Sequence, residues 1–291
     1  MKKCEMNVRD PYILVDGGKY YMYGSRGWEL WNDCTGTDVY VSEDLENWSG
    51  PYEAFTYTPD FWANIQYWAP EVHKYKGKYY MFMSLVGVGW KRGTQILVSD
   101  SPMGPFKAHS ERTVTPHEWE CLDGTFYVDK QGNPYMVFCH EWVQSGDGTI
   151  CAIRLSEDLK ESVGEPIVLF SASSCPKIEP FTKKNEYVTD GPFMYRMTDG
   201  TLAMIWSSFA YGAGYCVVVS TSDNGEIDGK WTHKEELLYN DDGGHGMLFT
   251  DLNGQLCLVA HSPNGTKQER PFILPVEEAD GTLRPCGPEM K

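Results

Sequence analysis

The sequence predicts an all-β chain wound into a five-bladed β-propeller. Three observations carry that prediction: one hairpin pattern recurs five times, a further strand and turn follow each copy, and no segment keeps a helical periodicity beyond a turn or two. A β-sandwich is also built from antiparallel strands, but it would not need five copies of one hairpin.

The first copy reads "DPYILVDGGKYYMYGS" from Asp10, and the second reads "APEVHKYKGKYYMFMS" from Ala69. The third is "DGTFYVDKQGNPYMVFCH" from Asp123, the fourth "DGPFMYRMTDGTLAMIWSS" from Asp190, and the fifth "HGMLFTDLNGQLCLVAHS" from His245. Their starts lie 54 to 67 residues apart. In each, a short apolar strand enters a Gly-containing turn and a second, more apolar strand leaves it, which is a hairpin signature. The strands that follow begin "TDVYVSEDLENWSG", "TQILVSDSPMGPFKA", "TICAIRLSEDLKES", "YCVVVSTSDNGEIDGKW" and "RPFILPVEEADGTL". Each unit is therefore three or four strands long, the size of one propeller blade. No Pro/Ser-rich linker divides the chain, so residues 1–291 read as one domain. Segments 51–68 and 109–121, rich in aromatics, are expected to be loops on one face.

Composition narrows the function classes. Aromatics make up 14% of the 291 residues, with 18 Tyr and 10 Trp, which favours strands or a cleft that binds rings. A formal charge of −16 would repel a polyanion, so nucleic acid is not an expected partner. The nine cysteines are an odd number, several lie inside apolar runs, and no CxxC pair occurs, so neither a disulfide framework nor cysteine-ligated zinc is expected. The start, "MKKCEMNVRDPYILV", lacks the apolar stretch of a signal peptide, and no run of about 18 apolar residues exists anywhere. The expectation is a soluble, cytoplasmic chain, monomeric by default, with no membrane partner.

In a propeller the first strand of every blade lines the central channel. Equivalent repeat starts should then converge at one mouth: Asp10, Ala69 with Glu71 two places on, Asp123, Asp190 and His245. Asp-Gly and Asp-Pro also open ordinary turns, as Asp16, Asp199 and Asp251 do between strands. The three starts differ because they precede an inner strand. Carboxyls gathered in one mouth shift each other's pKa, and two that face each other across a pocket suit glycosidic cleavage, one giving a proton and one activating water. Flat apolar faces for a carbohydrate substrate are expected from Trp28, Trp31, Trp68, Trp90, Trp142 and Trp206.

These residues resemble glycoside hydrolase family 43, five-bladed propellers that include inverting arabinofuranosidases and xylosidases. "RDPYIL" is similar to the stretch that carries the family's general base, which implies that role for Asp10. "WAPEV" looks like a framework motif of the second blade, with Glu71 in the pocket wall. "LDGTFYVD" resembles the stretch whose aspartate orients the acid and tunes its pKa, here Asp123. "TDGPFMYR" stands where the family has its acid, which implies Asp190, although the family's residue there is a Glu, longer by one methylene. Glu186 and Glu71 are the carboxyls that could substitute. "GGHGMLF" resembles the fifth-blade stretch whose histidine, here His245, helps hold a calcium ion or a water near the axis. No other cofactor is implied.

The resemblance implies inverting removal of terminal arabinofuranosyl or xylosyl residues, with the two carboxyls roughly 6.5–9.5 Å apart. An inactive sugar-binding propeller, a fructan hydrolase and a mannoside phosphorylase are the competing readings. "HEWEC" and "HEWVQ" miss the HExxH spacing, and "GAGYCV" lacks the third glycine of a dinucleotide loop.

Overall fold

The computed structural model describes residues 1–27 and 35–290. Trp28 and Trp31, expected at the cleft, lie outside the described residues.

Five four-stranded antiparallel sheets, each made of strands consecutive in sequence, stand around one axis as the repeats predict. Blade I holds β1 (Arg9–Asp16), β2 (Lys19–Ser25), β3 (Thr37–Ser42) and β4 (Trp48–Phe55). Blade II holds β5 (Ile65–Tyr75), β6 (Lys78–Val86), β7 (Gly93–Ser99) and β8 (Lys107–Thr113). Blade III holds β9 (Cys121–Val128), β10 (Pro134–His140), β11 (Thr149–Leu155) and β12 (Ser162–Ser171), with the one-turn helix α1 (Trp142–Ser145) between β10 and β11. Blade IV holds β13 (Asp190–Arg196), β14 (Leu202–Ala210), β15 (Gly214–Ser222) and β16 (Trp231–His233). Blade V holds β17 (Gly244–Thr250), β18 (Leu256–Ser262), β19 (Arg270–Ala279) and β20 (Thr282–Pro285). Segments 51–68 and 109–121 are only partly loop, because their ends belong to β4, β5 and β8.

The second strands are sandwiched between neighbouring blades and so read as nearly unbroken apolar runs. Trp206 belongs to this layer. It is fully buried in β14, packs on Phe170 and His233, and donates its Nε1–H to Ser220 Oγ at 2.9 Å. The expectation that it binds sugar is therefore corrected: Trp206 is core between blades III and IV.

A bulge interrupts every inner strand at one equivalent place. The ladder skips between Arg9 and Tyr12, Trp68 and Glu71, Leu122 and Thr125, Asp190 and Phe193, and Gly244 and Met247. The first bulged residue has a left-handed backbone in all five blades: Asp10 (φ 53°), Ala69 (45°), Asp123 (57°), Gly191 (48°) and His245 (47°). Non-glycine residues adopt this region at a cost, and such strain collects where function demands it. Gly191 meets a second constraint, since a Cβ there would lie 2.6 Å from the His245 ring.

The register corrects one expectation. Asp190 is not equivalent to Asp10 and Asp123; it sits one residue earlier, where the other blades place Arg9, Trp68, Leu122 and Gly244. Bulging sends both positions toward the same mouth, so the carboxylates still meet.

Each bulge is tied to its neighbour by a backbone N–H. Ala69 N–H donates to Ser25 Oγ, Asp123 N–H to Ser84 Oγ and His245 N–H to Ser207 Oγ, all at 2.8 Å. Asp10 N–H donates to His261 Nδ1 at 3.2 Å, which closes blade V onto blade I. In the remaining interface Cys139 occupies the serine position, and Gly191 N–H turns to Asp123 Oδ2 at 3.0 Å. Because Asp123 N–H is buried, Ser84→Ala leaves it without an acceptor and should cost about 1–3 kcal/mol in chemical denaturation. A cost near zero would show that the bond between the blades does not hold the bulge.

Candidate active site

A cleft of about 670 Å³ opens where the five bulges meet, and Asp10, Asp123, Asp190 and His245 line it together with Trp68 and Trp142. Four expected residues fall elsewhere. Glu71 lies further down the channel, where its Oε2 accepts from Thr125 Oγ1 at 2.6 Å and faces His73 Nε2 at 2.8 Å. Trp90 is 42% exposed and does not line the cleft, and Trp206 is core. Glu186 accepts from Thr182 Oγ1 in the loop before β13 and does not line the cleft.

Asp10 is held from four sides. Ser25 Oγ donates to its Oδ2 at 2.7 Å, and Arg9 Nε and His245 Nδ1 stand 3.3 and 3.2 Å from its Oδ1. His261, fully buried behind it, accepts the Asp10 N–H on Nδ1 and faces Asn264 Oδ1 with Nε2, an arrangement that assigns its proton to Nε2. Burial is the first cause that drives the His261 pKa down to about 3, and the Arg9 charge adds to it, so this imidazole is neutral. Burial alone would raise the Asp10 carboxyl. The neighbouring His245, the Arg9 charge and the Ser25 hydroxyl outweigh it, so the Asp10 pKa lies below the ordinary value. Arg9 itself is fixed by Glu269, whose Oε1 accepts from Nη1 at 2.7 Å.

Asp190 experiences the opposite balance. Burial first, then the neighbouring Asp123, push its pKa from 3.8 to about 7, although Tyr215 donates its hydroxyl to Oδ2 at 2.9 Å. Asp123 is raised well above the carboxylate range by burial and by the Asp10 charge; Glu141 and Glu71 add to the rise, while the Gly191 N–H opposes it. The three carboxyls of one mouth are thus separated: Asp10 is pushed down, while Asp123 and Asp190 are pushed up.

Sequence reasoning missed the side walls. Arg92 lies over the Trp68 ring, 4.1 Å from its centroid, with Nη1 donating to Glu141 and Nη2 to Gln66, each at 2.7 Å. Opposite, an aromatic row runs from the rim to the acid: Trp142 to Phe181 (5.6 Å between centroids), Phe181 to Phe209 (4.7 Å) and Phe209 to Tyr215 (5.2 Å). Gln144 anchors α1 beneath Trp142 by accepting the Glu120 N–H at 2.7 Å and donating to Glu118 O at 3.0 Å. Apart from Gln66 and Trp68 on β5, these groups come from second and third strands and from loops, where the repeat gives no signal of direction. The Trp-Val pair of "WVQS" and the tyrosine of "GAGYCV" were the nearest hints.

Calcium takes six to eight oxygen ligands at roughly 2.3–2.6 Å. His245 offers nitrogen, its Nδ1 faces Asp10, and among the described residues no group of three or more His, Cys, Asp or Glu side chains converges on a metal position. The residues present do not fit a protein-caged calcium ion, and the chemistry below uses none.

A model of the glycosyl hydrolases of family 43 matches residues 4–283. The chain belongs to that family. Among solved structures, an endo-arabinase from Bacteroides thetaiotaomicron VPI-5482 is similar at 42% identity with a TM-score of 0.90, covering 97% of this chain and 98% of that one. A thermostable family 43 glycoside hydrolase shares the fold at 22% identity and a TM-score of 0.83, covering 98% and 94% of the two chains. Among curated relatives, an extracellular endo-α-(1→5)-L-arabinanase of Bacillus subtilis (strain 168) is 26% identical over 145 residues, covering 46% of this chain and 44% of its own. A xylosidase/arabinosidase of Bacteroides ovatus is 30% identical over 137 residues, 42% of each chain. The chain thus spans less than half the length of these curated relatives.

In this family 43 chain the raised Asp190 pKa has a consequence for stability. The folded state binds the extra proton between about pH 4 and 7, so stability falls as pH rises through that window. Asp190→Asn should therefore raise stability at pH 8, by at most about 4 kcal/mol, and raise it little at pH 4. An equal effect at both pH values in urea melts would contradict the buried, protonated acid.

Proposed function

We propose that the chain is an inverting glycoside hydrolase acting on α-L-arabinofuranosyl linkages of an arabinan-type polysaccharide. One observation carries the mechanism: two aspartates in the same cleft have environments that drive their pKa values apart, Asp10 down and Asp190 up to about 7. Asp10 is then the base that takes a proton from water as it attacks the anomeric carbon. Asp190 is the acid that protonates the departing glycosidic oxygen, with Tyr215 holding its Oδ2.

Asp123 positions rather than reacts. Its Oδ2 accepts the N–H of Gly191, the residue after the acid, so it fixes the strand from which Asp190 projects. Asp190 stands on the last paired position before the bulge and lines the cleft itself. Neither Glu71 nor Glu186 is needed as a substitute.

Arabinan is favoured by the 42% identity, over nearly the full length of both chains, with a protein described as an endo-arabinase. That likeness moves the expected action from terminal residues toward internal linkages. Hydrolysis is favoured over phosphorolysis by the charges of the wall. Its described lining has five carboxyl groups and two guanidinium groups, and the latter already pair with Glu269 and Glu141.

Activity on linear arabinan and on aryl arabinofuranoside, xyloside and galactoside should be confined to arabinose-containing substrates, with kcat/KM falling on the alkaline side near pH 7. Asp10→Asn should lower kcat about 10²- to 10⁴-fold without loss of fold, whereas Asp190→Asn should spare aryl substrates with good leaving groups. Near-normal turnover by Asp10→Asn would remove Asp10 from the reaction.

A further inference from the structure

Trp90 is 42% exposed and lies outside the cleft, yet its surroundings are built rather than incidental. The Arg112 guanidinium sits over its ring, 4.1 Å from the centroid, and also 5.8 Å from the centroid of Trp62. Trp62 and His117 meet the Trp90 ring edge-on at 6.3 and 6.2 Å. Trp62 is itself fixed, donating Nε1–H to Gln95 Oε1 at 2.8 Å, and the fully buried Gln95 spends its amide on Ser110 O at 2.9 Å. Gly87 is needed under this arrangement, because a Cβ there would fall 2.4 Å from Trp62 O. The turn that follows closes with Trp90 N–H on Gly87 O at 3.0 Å. Trp90 is thus held by a cation over its ring and by two rings packed steeply against it, yet it keeps 42% of its surface exposed.

Strand direction places this cluster beside the cleft. Trp68 pairs with Ser84 at the mouth, so the loops before Ile65 and after Val86 emerge on the cleft side of blade II. Arg112 comes from the end of β8, which pairs with β7 near the same edge through Gln95 and Thr113. Two residues beyond Trp90, Arg92 is already in the cleft wall, stacked on Trp68.

We propose that Trp90, Trp62 and Arg112 form a second carbohydrate-binding surface, continuous with the blade II wall, that takes neutral pentose units of the polysaccharide away from the bond being cut. The proposal rests on the reading of the chain as an arabinan hydrolase. A rigid indole face suits the C–H face of a sugar ring and loses little side-chain entropy on binding. A net charge of −16 favours a neutral chain over an anionic polymer.

The test separates binding from catalysis. In native gels containing linear arabinan, Asp10→Asn should be retarded, and Trp90→Ala added to it should weaken retardation about 3- to 10-fold while Trp90→Phe restores most of it. Kinetically, Trp90→Ala should raise KM for arabinan by a similar factor and leave aryl arabinofuranoside turnover within about twofold. Equal losses on polymer and aryl substrate, no loss on either, or a change in self-association without a change in retardation would each overturn the proposal. If Asp10→Asn stays active while Trp90→Ala loses retardation, the catalytic reading fails and the surface stands. The converse result rejects the surface and leaves the catalytic reading intact.

Discussion

Five backbone N–H groups, one at the bulge of each inner strand, hold the mouth of this propeller in shape. Four of them donate to a side chain at the same position of the preceding blade: Ser25, Ser84, Ser207 and His261. A left-handed residue at a bulge is strained, and a buried N–H without an acceptor is costly, so each bond stabilises a conformation that would otherwise relax into regular strand. Closure follows from the same device. No blade mixes strands from the two ends of the chain, and the seam between blades V and I is held by side chains: His261 on Asp10 N–H, Glu269 on Arg9, and Asn7 Nδ2 on Glu269 O.

The site's electrostatics follow from this geometry. Asp10 lies at the seam, where Arg9, His245 and the Ser25 hydroxyl favour its charge. Ser25 links the two levels, since its oxygen accepts the Ala69 N–H of blade II while its own proton goes to Asp10. Across the mouth, the interface that has Cys139 in place of a serine lets Gly191 N–H turn to Asp123, and that bond ties the acid's strand to the central carboxyl. For Asp190, burial and the neighbouring Asp123 outweigh His245, the Tyr215 hydroxyl and the Arg9 charge, and the pKa rises to about 7. One cleft therefore contains one carboxyl lowered below its ordinary range and another raised to about 7. The cause is which blade each comes from, not any intrinsic difference between two aspartates.

The architecture was legible because five apolar hairpins at regular spacing have few other ways to bury their faces. The meeting of Asp10, Asp123 and His245 at one mouth was legible for the same reason. The offset of Asp190 was not, since a bulge is defined by pairing across strands and "DGP" reads like "DGT" along the chain. Tryptophans were the weakest signal. Trp206 and Trp68 both sit in apolar surroundings, but a second strand is enclosed on both faces while the pre-bulge position of an inner strand faces the mouth. The serines late in the second strands, in "YMYGS", "YMFMS" and "MIWSS", were visible throughout. Their meaning depends on knowing which N–H they face.

The central claim is that two aspartates brought together by the bulges titrate far apart, Asp10 below the ordinary range and Asp190 near 7, so that between those limits one is ionised while the other is protonated. Carboxyl ¹³C NMR of aspartate-labelled protein, assigned with Asp10→Asn and Asp190→Asn, measures this directly. The account predicts that Asp10 is ionised below the ordinary aspartate range and that Asp190 titrates near pH 7. Both carboxyls titrating together around pH 4 would contradict it.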